Sequence, residues 1–152
     1  MMNKSNIEKV VRDFIAGSGM FLVAVKVSSS NRITVHADRN EGITIDDCAA
    51  IHRHIGSCFD RDVEDYELQV SSPGAETPFV VIEQYLKNEG KKIKVTDNEG
   101  ENYTGLLKNV TDGGFELEVE FRVKGRQKET RDISFNFEQV KSAQAVISIN
   151  KI

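Results

Sequence analysis

The side chains in this 152-residue chain whose chemistry could make a site are three histidines, two cysteines and two clusters of charge. His52 and His54 stand two apart in a segment of helical periodicity. At about 100° per residue they leave on different faces and cannot chelate one ion. His36 falls on the outer side of a strand pair. The reading is a core-edge His52 and surface His36 and His54, with no metal site. Cys48 and Cys58, ten residues apart in the same segment, point away from one another, which fits reduced thiols rather than a disulfide or a shared ion. Ser71, Ser72 and Cys48 have neither an adjacent base nor a nucleophile-elbow context. No Gly-rich phosphate loop occurs, and no GXXG tetrapeptide of the kind that clamps a nucleic-acid backbone. The expectation is therefore no catalytic set, no cofactor and no metal.

Charge is more informative. Arg122, Lys124, Arg126, Lys128 and Arg131 place five cations within ten residues around a predicted hairpin. They could follow the phosphates of a folded RNA. They could equally pair across strands with Glu116, Glu118 and Glu120, on the outer face of the preceding strand. Asp60, Asp62, Glu64, Asp65 and Glu67 form an acidic run, readable as a solvated loop or as a dock for a basic protein. There is no Trp, and the aromatics fall mostly on inward positions, so a base-stacking platform is not expected. The net charge of −4 lies entirely in residues 1–88, with 9 Lys and Arg against 13 Asp and Glu, whereas residues 89–152 hold 11 of each. An acidic front half argues against an unaided grip on naked nucleic acid and suits a basic protein partner.

The elements that must position these groups follow from periodicity. Ile7, Val10, Val11, Phe14 and Ile15 mark one face of a helix closed by Gly17. Phe21, Val23, Val25 and Val27, then Ile33, Val35 and Ala37, alternate toward one side of a predicted hairpin. Thr44 caps the next helix, with Asp47 at its third position completing a capping box. Its expected inner face is Ile45, Cys48, Ile51, Ile55, Cys58 and Phe59, joined by His52. Tyr66, Leu68 and Val70 face inward on a third strand. Ser72, Pro73 and Gly74 then read as a type II turn. Thr77-Pro78 predicts a linking helix with Phe79, Ile82 and Leu86 buried and Gly90 at its end.

From there the period becomes alternating. Strands are expected at about 92–96, 102–110, 115–123, 129–135 and 144–149, which describes a small closed barrel. The organisation predicted is an α+β chain with residues 1–88 as one domain and 89–152 as a second. No run reaches the length of a membrane span and the start does not read as a secretory signal, so the expectation is a cytoplasmic protein.

Two segments taken together, GITIDDCAAIHRHI and YELQVSSPG, resemble the ribosome maturation factor RimP family. Thr44, Asp46, Asp47 and Cys48 match its T-[IL]-D-D-C helix start. Leu68, Val70, Ser71, Ser72, Pro73 and Gly74 match a strand ending L-x-V-S-S-P-G about twenty residues later. The resemblance implies a KH-like front domain and an Sm-like (SH3-like) rear barrel. It further implies a monomer that binds free or immature 30S subunits and assists incorporation of basic proteins such as the twelfth of the small subunit. The chain departs from the family at Thr77, where an arginine is usual, so an RNA contact from that position is not implied here.

Overall fold

The computed structural model describes residues 2–74, 77–122, 125 and 128–146. Its contacts divide the chain into two units, Met1–Pro73 and Gly74–Ile152.

The first unit runs α1 (Lys4–Ile15), β1 (Met20–Val27), β2 (Arg32–Arg39), α2 (Ile45–Cys58) and β3 (Glu67–Ser71). The strands form a sheet of order β1-β2-β3, with β1 antiparallel to β2 and β3 parallel to it. Parallel neighbours need a crossover, and α2 supplies it. Ile7, Val11 and Ile15 of α1 and Ile51 and Ile55 of α2 meet Leu22, Val25, Ile33, Val35 and Ala37 in one core. The expected β1 face changes phase midway. The register slips between Leu22 and Ala24, a bulge around Val23. One extra residue inverts the alternation, so Met20, Leu22, Val25 and Val27 contribute to the core, and Phe21 does not.

The second unit holds α3 (Ile82–Lys87), β4 (Lys92–Asp97), β5 (Asn102–Lys108), β6 (Gly114–Arg122), β7 (Lys128–Asn136), a 3₁₀ turn (Phe137–Gln139) and β8 (Val140–Ala145). The strand order is β7-β6-β5-β4-β8, antiparallel throughout. β7 and β8 are the two edges and are not paired with one another among the described residues. The expected closed barrel is thus an open, curled five-stranded sheet. Its pairing changes along β5, whose early residues pair with β4 and whose last three pair with β6. Glycine is required at two points of this sheet, Gly105 in β5 and Gly114 at the start of β6. A Cβ at Gly105 would overlap the Glu118 carbonyl, and one at Gly114 would overlap that of Phe135.

The linking helix also differs from expectation. Thr77 does not cap it; α3 starts at Ile82, behind an extended stretch whose Phe79 N–H donates to Ala143 O on β8 at 2.7 Å. The buried Gln84 side chain instead accepts from the Val80 and Val81 N–H groups. Leu86 is exposed, and Tyr85 takes the inward place, with its ring 4.9 Å from Phe79, 5.2 Å from Phe115 and 5.0 Å from Phe137. Gly74 lacks the positive φ a type II turn needs at its third position, so that turn is not type II.

Candidate functional site

The start of α2 is held by a clasp of charge. Thr44 Oγ1 accepts from Asp47 N–H at 3.0 Å and the Asp47 carboxylate accepts from Thr44 N–H at 3.1 Å, the reciprocal capping box. Arg39, at the end of β2, donates to both Asp47 oxygens, Nε to Oδ2 at 2.8 Å and Nη2 to Oδ1 at 3.0 Å. Its Nη1 donates to Ser18 O at 2.6 Å, tying the α1–β1 turn to the same point. The Arg39 hydrogen bond, reinforced by the Thr44 backbone bond, holds the Asp47 carboxyl far below the usual carboxylate range. Asp46 is exposed. Within the T-I-D-D-C segment, Asp47 and Thr44 therefore hold the fold, and Arg39 is the partner the sequence reading missed. Its only local signal was a cation at a strand end eight residues before Asp47.

Ser71 closes β3 opposite His36. Ser72 and Gly74 are exposed and Pro73 is half-buried. Thr77 turns back to Gly74, its N–H donating to that carbonyl at 3.0 Å.

The histidines exchange roles. His52 is exposed, whereas His54 is half-buried and stacks on Phe14 with centroids 4.2 Å apart. α2 is rotated from the expected phase: Ile45 is 88% exposed and Cys58 is exposed, while Ile51 and Ile55 are fully buried. Burial and the nearby Lys26 lower the pKa of His36.

Part of the acidic run is occupied. Asn31 donates to Glu64 Oε2 at 3.1 Å, Arg32 meets Glu67 at 3.0 Å, and Asp60 accepts from Asp62 N–H at 2.8 Å. Asp62 and Asp65 are exposed.

The basic hairpin is a ribbon that outruns its core. β6 pairs with β5 only over residues 116–118, and with β7 over its whole length. The early part of β7 is exposed on both faces. Directly opposed residues share a face. Lys128 lies with Arg122, Glu120 and Glu118 in register, and Arg131 opposes Val119 on the face that continues the core. Lys128 and Arg131 thus lie on opposite faces. Lys128 is 3.8 Å from Glu120, and Arg131 is 3.9 Å from Glu129 and sits over the Phe121 ring at 5.4 Å. Lys124 and Arg126 lie outside the described residues, as does the side chain of Arg122. At the ribbon's base is a cation the sequence reading did not single out. Lys108 reaches Asp132 at 2.8 Å and Glu118 at 3.7 Å, and the Asp132 bond raises its pKa. Glu118 therefore serves Lys108 rather than the hairpin cations.

Among the described residues no group of three or more His, Cys, Asp or Glu is placed to hold a metal, and no helix is long and apolar enough to cross a membrane.

A family model for the RimP N-terminal domain matches residues 10–76. A relative from Porphyromonas gingivalis, named ribosome maturation factor RimP, is 34% identical over 152 residues, covering 97% of this chain and 100% of its own. A second of that name, from Chlorobium luteolum, is 32% identical over 164 residues, covering 91% of this chain and 93% of its own. A third, from Christiangramia forsetii, is 34% identical over 100 residues, 64% of this chain and 65% of its own.

Proposed function

The chain belongs to the RimP family of ribosome maturation factors, and from that membership we propose that it binds free or immature 30S subunits and assists small-subunit assembly by transient binding rather than catalysis. The observation that supports this most strongly is the match over the full length of a relative bearing that name. In this reading the protein works in the cytoplasm as a monomer of two modules. Residues 1–88 form a KH-like module and residues 89–152 an Sm-like one. The first is compatible with a three-stranded sheet covered by two helices, the second with an antiparallel five-stranded sheet. A basic small-subunit protein, the twelfth being the leading candidate, docks at the acidic side carrying Asp62, Glu64, Asp65 and Glu67. The ribbon cations Arg122, Lys124, Arg126, Lys128 and Arg131 reach rRNA phosphates. Thr77 bears no charge for such a contact.

Deleting the gene and resolving ribosomal particles on sucrose gradients under slow growth and heat stress tests this. The expected result is a loss of 70S with accumulation of free subunits and unprocessed small-subunit rRNA. Unchanged 30S and 70S peaks with normal processing contradict it.

One observation favours a second reading, a generic RNA-binding module. The ribbon's ion pairs are long and exposed, so its cations are released at little cost to stability. Filter binding of the purified protein to structured rRNA across a salt series separates the two. Tight binding with a steep salt slope favours the generic module, and weak binding restored by 30S particles favours the assembly factor.

A further inference from the structure

Helix α2 carries two stripes. Ile51 and Ile55 are buried in the core. Ile45, Ala49, His52 and Gly56, spaced four, three and four residues apart, form a second stripe that is exposed at Ile45, His52 and Gly56 and half-buried at Ala49. This stripe runs beside β3, the last strand of its sheet. Two open grooves meet there at His52 and Arg53. One, of about 360 Å³, includes Ile45, Ala49 and Val70, and the other, of about 560 Å³, includes Phe59, Tyr66 and Leu68. Glu67 N–H donates to Asn31 O at 3.0 Å, so residues 67, 69 and 71 address β2. The backbone groups of Leu68 and Val70 consequently face the open side. An unpaired strand edge beside an exposed apolar stripe is a template for one more strand.

We propose that this groove receives an extended segment of a basic protein, added to β3 as a fourth strand with alternate apolar side chains against Ile45 and Ala49. Charge selects the occupant. The segment from Asp60 to Glu67, at the end of the groove where α2 finishes and β3 begins, carries five carboxylates against Arg61 alone. The Asp62 and Asp65 carboxylates have no partner among the described residues. Cationic side chains flanking an apolar core segment fit that end, and a phosphate backbone is repelled by it. The inference rests on the protein-docking part of the proposed function and adds the edge and the mode of recognition.

The test titrates the full chain with a fluorescent nine-residue peptide of alternating valine and lysine, with glutamate in place of lysine as one control and a ten-uridine oligonucleotide as another. Amide exchange is read at Leu68 and Val70. The expected result is saturable binding of the lysine peptide alone, slowed exchange at both amides, and at least tenfold weaker binding by Val70→Pro and by Ala49→Arg. Proline at an outward-facing edge position removes no ladder bond, and Ala49→Arg fills the groove from the helix side with every strand residue unchanged, which keeps the test open should the first variant misfold. Unprotected amides, full affinity in folded Ala49→Arg, or preference for the oligonucleotide or the glutamate peptide overturns the inference. Sedimentation of the same preparation with 30S particles separates the failures. Particle binding without peptide binding rejects the strand addition alone, and loss of both rejects the parent reading as well.

Discussion

Two regions of this molecule pair cations with carboxylates, and they do opposite things with the pairing. At the start of α2, Arg39 and Asp47 meet through two bonds of 2.8 and 3.0 Å, with side chains only 20% and 18% exposed. On the β6–β7 ribbon, Lys128 and Glu120 lie 3.8 Å apart at 57% and 63% exposure. The first pair is bidentate, shielded and tied to a helix cap, so it fixes where α2 leaves β2. The second is a screened surface pair, which contributes about 0–1 kcal/mol and leaves its cation available to a partner. The Arg39–Asp47 charges hold a helix start in place; the Lys128–Glu120 charges on the ribbon hold little in place.

The largest effect is expected at the ribbon's base. Gly114→Ala drives a Cβ into the Phe135 carbonyl and forces β6 and β7 apart, a cost of roughly 3 kcal/mol or more. Thermal melting should show the second unit's transition lowered, with the ribbon's binding lost alongside it. An unshifted transition would mean that the ladder near Asn136 relaxes freely.

Next comes the clasp. Asp47→Asn removes the charge but keeps the shape, and the front unit's melting midpoint should fall at neutral pH. The pKa of Asp47 is depressed in the folded state, so its contribution is present above the unfolded carboxylate value near 4. It is lost as pH falls below that, because the unfolded chain takes up the proton first. The stabilities of wild type and variant should therefore approach one another progressively as pH falls below about 4. A constant gap across that window would assign the effect to something other than ionisation. Thr44→Ala should cost about 1 kcal/mol, the usual value of a lost helix cap.

How much of this was legible follows the same division between local and distant causes. The Thr44–Asp47 box was readable because cap and carboxylate lie three residues apart and satisfy one another. The strand Tyr66, Leu68, Val70 was readable from alternation alone, and the structure buries or half-buries all three. The phase of β1 was not, because only pairing with β2 shows the extra residue at Val23 that inverts the face, although Val23 itself is buried as expected. The phase of α2 was misjudged for a physical reason. Ile45 and His52 sit on a helical stripe beside β3, which ends the sheet, and both side chains are exposed among the described residues. Thr77-Pro78 carries the local signals of a helix start, which the Phe79–Ala143 bond and the Gln84 cap override. The ribbon's cations were visible as a cluster, but the placing of Lys128 and Arg131 on opposite faces required the β6–β7 register.

The smallest effect on stability is expected on the ribbon itself. Lys128→Ala with Arg131→Ala should change the unfolding free energy by less than about 0.5 kcal/mol per site. The same pair should weaken particle binding and lower its salt slope by about one for each lost phosphate contact. A large stability loss without a binding change would reverse the comparison and make the ribbon structural.

The central claim, that the protein serves small-subunit maturation by binding, is tested most directly by co-sedimentation of the purified chain with isolated ribosomal particles. Comigration with 30S and absence from 70S is the predicted result. Equal association with both, or with neither, would contradict it.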